Sequence, residues 1–354
     1  MKKKNKLVLV ILILIFVAII GTSIGITIVM SPVSKDDTNK NIVIENGMLI
    51  DDIADLLKKE NLIRNKKAFI YYARFKKMDN IYAASYEFNE SMSMNEIFKT
   101  LSEGGQNKDE IKITFNEGIN MRRIATIIEK NTNNSYEDVM NKLKDTKYLD
   151  KIIDEYWFLT DDIKNPKIYY SLEGYLYPET YFFNSKDIEV EDIFKKMLDQ
   201  TDKILSKYKK EIKKSKYSVH ELLTLASITQ SEGITADDFK NIASVFYNRL
   251  EKSMSLGSDV TSCYGVKKDL GSSLTTSDFN DNNPYNTRRP DVIMPVGPIS
   301  NSSKEALDAV LNPIETDYLF FVSDKNKKFY FNKTNNEHDR TVSKLINEGL
   351  WAEW

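Results

Sequence analysis

Cysteine is almost absent from this 354-residue chain. The lone Cys263 excludes an internal disulfide framework, a four-cysteine zinc site and a CxxC redox pair. Histidine is nearly as scarce. His220 and His338 lie far apart and fit no HExxH signature, so no metal and no cofactor is expected. Neither charge sign dominates, with 50 Lys and Arg against 52 Asp and Glu. The balance conceals Lys2, Lys3, Lys4 and Lys6 ahead of a mildly acidic remainder, about −6 without them. Such a chain has no field to gather phosphate backbones, which speaks against nucleic acid as a partner. With 41% apolar and 29% charged residues the sequence is neither disordered nor fibrous and suffices for two or three domains. Its 19 Tyr and 17 Phe serve either a packed core or a sugar-stacking groove, and the area that rings bury favours the core.

One long hydrophobic run is present. Leu7 to Met30 carries no charged side chain and as a helix would extend about 36 Å, enough to cross a bilayer. Cleaved signal peptides have a shorter apolar stretch and a small-x-small exit, whereas this run continues through Ile26, Ile28, Val29 and Met30. A single-pass anchor at 7–30 is expected. Residues 1–6 then form a basic cytoplasmic tail, and the remainder lies on the outer face of the plasma membrane. Residues 31–41 read as a polar linker.

The chain repeats itself. At an offset of 71 positions, Ile42, Ile44, Gly47, Ile53, Ala54, Leu56, Leu57 and Lys59 align with Ile113, Phe115, Gly118, Ile124, Ala125, Ile127, Ile128 and Lys130. Alternating apolar residues, a glycine and then apolar positions at helical spacing describe a strand turning into a helix in each copy. Between the copies, helices are expected at Lys66 to Met78 and Met94 to Leu101, with a strand at Ala84 to Phe88. This α+β region, 42–134, either positions the main domain or grips a glycan. Residues 135–216 read as a helical connector interrupted by LEGYLYPETY, where Gly174 and Pro178 break any helix. Its aromatics beside Glu173 and Glu179 form either a structural plug or one wall of a groove.

A third region, 217–354, carries the chemistry. In Glu221 to Glu232, ELLTLASITQSE, Leu222, Leu225 and Thr229 occupy one helical stripe and Glu232 takes the next position on it. Gly233 follows as a helix terminator, which places the glutamate in the last turn, at the negative end of the dipole. Desolvation and dipole both raise a carboxyl pKa, the physical recipe for a general acid near neutral pH. The bland alternative is a surface glutamate at a frayed helix end. Gln230 points away from the stripe. Thr235 and Asp238 can cap a following helix with Phe239, Ile242, Val245, Phe246 and Leu250 inward. Beyond it lie loops dense in polar residues, 256–265, 283–287 and 294–300, of the kind that build binding sites. A hairpin around Asp324 and a last helix from about Asn336 complete the pattern.

With LEGYLYPETY, LASITQSE, SVFYNRL, LGSDVTSCYG, NPYNTR, PVGPISN and LNPIETDYLFFVSD in this order, nearly the whole chain resembles the membrane-anchored endolytic peptidoglycan transglycosylases, the MltG or YceG-like family. The resemblance implies an α+β protein with an N-terminal transmembrane helix, LysM-like modules turning at Gly47 and Gly118, and a mixed α/β catalytic domain. It implies cleavage of the β-1,4 bond between N-acetylmuramic acid and N-acetylglucosamine in nascent strands, with a 1,6-anhydro ring as product. Glu232 matches the family's catalytic residue. Asp259, Thr261, Tyr264, Tyr285 and Asn286 are expected either as groove residues that hold sugar amides and hydroxyls or as loop-stabilising residues. Glu173, Glu337 and His338 match family positions and read as structural. Expected partners are peptidoglycan strands, the membrane, and peptidoglycan synthases with other elongation or division proteins. Two departures stand out. Gln230 replaces the first acid of the Glu-x-Glu found in many relatives, and Val260 and Cys263 replace a proline and a β-branched residue. A non-catalytic wall-binding scaffold is the alternative from another class. A hydrolytic muramidase is disfavoured because nothing in the sequence marks a second carboxylate.

Overall fold

Both copies of the repeat fold as strand, two or more helices, antiparallel strand, helix. The computed structural model describes residues 21, 25–44, 48–76, 81–82, 84–104 and 110–351. Most of the expected anchor at 7–30 lies outside these residues; 25–30 are helical. No helix among the described residues is long and apolar enough to cross a membrane. The chain divides into two compact units, 1–110 and 111–354.

In the first unit β1 (Lys40–Ile44) leads to α1 (Ile50–Lys59), α2 (Lys66–Phe75), β2 (Ala84–Phe88) and α3 (Met94–Glu103). β1 pairs antiparallel with β2, Ile42 opposite Tyr86. The alternation sends Ile42 and Ile44 inward and leaves Val43 in solvent, as the period of a strand requires. They meet Ile53, Ala54 and Leu57 of α1, Phe69 of α2 and Ile97 of α3 in one core. Asn65 accepts from the Ala68 N–H to start α2, and Ser93 with Glu96 forms a capping box at α3.

The second unit begins with the second copy: β3 (Ile111–Thr114), α4 (Met121–Asn131), α5 (Tyr136–Lys142), α6 (Thr146–Glu155), β4 (Thr180–Phe183) and α7 (Val190–Leu205). Buried positions recur in register with the first copy, since Ile113, Phe115, Ile124, Ala125 and Ile128 repeat the burial of Ile42, Ile44, Ile53, Ala54 and Leu57. Gly118 takes φ +73, a left-handed turn open to glycine; Gly47 lies outside the described residues. The partner of β3 is β4, Ile113 opposite Tyr181. The unit boundary therefore falls between Glu110 and Ile111, inside the stretch 42–134 that the repeat defines, because the second copy completes its sheet with residues from the connecting region.

LEGYLYPETY is a plug. Leu172, Glu173, Tyr175 and Leu176 are buried, and Gly174 at φ +82 passes so close to Pro298 that a Cβ would sit 2.3 Å from the proline Cβ. Tyr175 Oη lies 2.8 Å from His220 Nδ1. The end of the segment is the strand β4.

Helices α8 (Lys209–Lys214), α9 (Val219–Glu232), α10 (Ala236–Glu251), α11 (Asp259–Gly265), α12 (Thr276–Phe279) and α13 (Lys304–Leu311) come next, then β5 (Phe320–Ser323), β6 (Phe329–Asn332) and α14 (Asn335–Asn347). α9, α10 and α13 pack on one another, and α9 runs through the middle with every residue from Leu222 to Thr229 buried. β5 and β6 form the antiparallel hairpin, Phe321 opposite Phe331, its turn held by Asp324 Oδ1 accepting from the N–H groups of Asn326 and Lys328. The architecture is mixed α+β, as expected.

Candidate active site

α9 starts sharply, with Ser218 and Glu221 in a capping box, and ends at Glu232. The stripe predicted from spacing is real, Leu222, Leu225 and Thr229 being buried beneath the half-buried glutamate. Gly233 serves differently from the expectation. It leaves the helix extended at φ −94 rather than left-handed. Its missing Cβ matters for another reason: the atom would lie 2.5 Å from Phe239 Cδ1. Thr235 and Asp238 cap α10 as predicted, so two helices meet tightly at the carboxylate.

Glu232 Oε1 accepts a hydrogen bond from Ser258 Oγ at 2.5 Å. Burial is the leading influence on this carboxyl and pushes its pKa up to about 7, seconded by the charge of Asp259; the Ser258 hydroxyl, Arg288 and Arg249 pull the other way. Asp259 lies close enough to act on Glu232, yet it is committed to an ion pair with the Nε of Arg288. The sequence marked no second carboxylate, and the one the fold supplies nearby is thus neutralised by its own cation. Arg288 also lies over the Phe279 ring, 5.6 Å from its centroid. Arg249 donates from Nε to the Leu319 carbonyl at 2.6 Å and from one terminal nitrogen to the carbonyls of Leu256 at 2.8 Å and Ser255 at 3.2 Å. Its guanidinium covers Phe320, and the His338 ring stacks on that same phenyl group. Burial holds the His338 imidazole below its ordinary pKa.

The other expected groove residues divide. Asp259 is partly exposed beside Glu232. Thr261, Tyr264, Tyr285 and Asn286 are buried with their polar atoms already engaged. Thr261 Oγ1 donates to the Ser258 carbonyl at 2.7 Å, and Tyr264 Oη donates to Glu173 Oε2 at 2.9 Å. Tyr285 Oη accepts from the Tyr169 N–H at 3.1 Å. Asn286 Nδ2 donates to the carbonyls of Phe279 and Asp281, and its Oδ1 accepts from Ser262 Oγ. Thr261 and Tyr264 stand on α11, a short helix where the sequence suggests a loop, and with Tyr285 and Asn286 they hold that helix and the 283–287 loop by hydrogen bonds within the protein.

Glu173 is a second carboxyl raised by burial, set in the frame at 1% exposure. It accepts from the Met121 N–H at 3.0 Å and from Tyr264, while burial pushes its pKa up to about 8. Gln230 accepts from the Ser303 N–H at 2.8 Å and so ties α9 to the start of α13, away from Glu232. Glu337 sits in the capping box of α14. Ser258, Arg249 and Arg288 escaped the sequence reading. Each lies inside a quoted motif, and the arginines could have been found as cations at the edge of an otherwise apolar or neutral stretch.

A half-buried carboxyl that titrates near neutrality can give up a proton and take one back, the two operations of acid–base catalysis by a single group. The model of the YceG-like family matches residues 42–344. The chain is 39% identical over 319 residues to the endolytic murein transglycosylase of Bacillus subtilis strain 168, covering 90% of this chain and 88% of that protein. It is 30% identical over 360 residues to the endolytic murein transglycosylase of Streptococcus pneumoniae serotype 2, covering 95% of this chain and 65% of that longer protein. A 2.6 Å crystal structure of a YceG-like protein from Listeria monocytogenes superposes with a TM-score of 0.62 at 35% identity, over 87% of this chain and all of that one.

Proposed function

The chain belongs to the YceG-like family, and from that premise we propose that it is an endolytic murein transglycosylase whose catalytic residue is Glu232. The observation that carries the assignment of the residue is the carboxyl at the end of α9, half-buried, held by Ser258 and raised to a pKa of about 7. In its protonated form Glu232 donates to the oxygen bridging N-acetylmuramic acid and N-acetylglucosamine as the bond from that oxygen to the muramyl C1 breaks. The carboxylate so formed accepts the proton of the muramyl C6 hydroxyl while that oxygen bonds to C1. The product ends in a 1,6-anhydro ring, no water is consumed, and the acid is regenerated. A second free carboxylate is unnecessary, in keeping with Asp259 being held by Arg288.

Thr261, Tyr264, Tyr285 and Asn286 serve this reaction by bracing α11, which carries Ser258 at its start and Asp259 in its first turn. The charge-free run at 7–30 behind four lysines supports a single-pass anchor with the catalytic unit outside the cell, where the substrate is made. The strand–helix–helix–strand order of the first unit suits a LysM-like module that grips glycan or spaces the second unit from the membrane. Glycan-polymerising synthases are the fitting protein partners for an enzyme that terminates their product.

The test is to incubate the purified full-length protein in detergent with uncrosslinked glycan strands and to analyse the products by mass spectrometry. Anhydromuramyl ends from the unmodified protein, lost in Glu232→Gln, are expected. Reducing ends would mark a hydrolase instead, and the absence of any cleavage on several substrates would leave a wall-binding scaffold.

A further inference from the structure

Ser258 stands at the start of α11, where a serine ordinarily turns its hydroxyl back to accept from the N–H two or three residues on. Every other Ser, Thr, Asn or Asp at a helix start among the described residues does so, including Ser93, Ser135, Ser218 and Ser303. Ser258 makes no such bond. Its Oγ donates to Glu232 Oε1 instead. The residue is otherwise clamped, its N–H donating to Thr287 Oγ1 at 3.0 Å and its carbonyl accepting from Thr261 Oγ1 at 2.7 Å. With the backbone fixed on both sides and the residue buried, the hydroxyl has one place to go.

We propose that Ser258 is a positioning residue that occupies Glu232 Oε1, so that Oε2 alone carries the proton to and from the substrate. This rests on the reading of Glu232 as the catalytic acid and base, and deepens it. A proton on Oε1 would face the serine hydrogen head-on, so the acid form is held with its proton on the free oxygen. Once the proton has gone to the leaving oxygen, the same donor steadies the new negative charge, and the C6 hydroxyl finds Oε2 where the departing proton left it. The serine proton never transfers. The charged groups that face this carboxyl are Asp259 on α11, Arg288 on the loop after α12 and Arg249 on α10, and none of them is altered by changing Ser258.

The test compares full-length wild type, Ser258→Ala, Ser258→Gly and Glu232→Gln on uncrosslinked strands, with kcat, KM, the pH–rate profile and the melting temperature as readouts. Both serine variants are expected to lose about tenfold in kcat with KM changed less than about twofold, the scale of one hydrogen bond to a charged group. Their alkaline limb moves to higher pH, because a donor that favoured the anion is gone. Their melting temperatures stay near that of wild type, since the hydroxyl caps nothing. Unchanged kcat and an unmoved limb would overturn the proposal. A raised KM with an unmoved limb would overturn it too, pointing to a substrate contact, and so would a large fall in melting temperature in both variants. Wild-type activity in Glu232→Gln would sink the catalytic reading itself, a separate outcome.

Discussion

Replacing Glu173 by Gln removes the carboxyl most deeply set among the described residues of the second unit, 1% exposed within the plug. Burial raises its pKa to about 8, from the 4.5 of an unperturbed glutamate. Between those two values the folded chain still holds a proton that the unfolded chain has released. Stability therefore falls as pH rises through this window, by about 1.4 kcal/mol per pH unit for one group. The contribution is whole below 4.5 and gone above about 8, a loss of a few kcal/mol. Glutamine is neutral throughout and lacks this dependence. Urea unfolding of the full-length protein in detergent, followed by circular dichroism at pH 5, 6, 7 and 8, measures the difference. Wild type should lose stability faster than the variant by about 1.4 kcal/mol per pH unit, while the shared contribution of Glu232 cancels. Parallel lines would refute the reasoning. A difference of opposite sign would mean that the donors of Met121 and Tyr264, with the Asn301 amide 3.4 Å from Oε1, outweigh burial and keep the carboxylate charged.

Three further outcomes concern the site and its frame. Asp259→Asn removes a negative charge from beside Glu232 and frees Arg288, both of which lower the pKa of the acid, so the alkaline limb of the pH–rate profile should shift to lower pH. In the unmodified protein, activity should decline about tenfold per pH unit above a pKa of about 7, as Glu232 loses the proton it must donate. Gly174→Ala forces a side chain into a left-handed residue and against Pro298, and denaturant unfolding should show a loss of at least about 2 kcal/mol.

Periodicity carried the helices and the repeat because those signals are local. Leu222, Leu225, Thr229 and Glu232 share a stripe in any helix with that spacing, and Ser93 with Glu96 or Thr235 with Asp238 close a capping box without help from elsewhere. The features that stayed hidden depend on partners distant in sequence. β3 waits for β4, so the unit boundary at Glu110 leaves no mark in composition. Tyr264 reaches Glu173 and Tyr285 reaches Tyr169 across the fold, and only that pairing reveals them as braces. The motif resemblance drew attention to the right loops but could not say which of their side chains face outward. Ser258 was invisible for the plainest reason: a serine before a short helix reads as a cap, and its diversion to Glu232 exists only in three dimensions.

Arg249 joins two segments that the chain keeps far apart, since the carbonyls it grips belong to the root of the hairpin at Leu319 and to the loop just before Ser258. The cation is thus a hinge pin as well as a charge. Lengthening or shortening either segment by a residue would pull on the same guanidinium, and the disturbance would reach the acid's field and its serine clasp together.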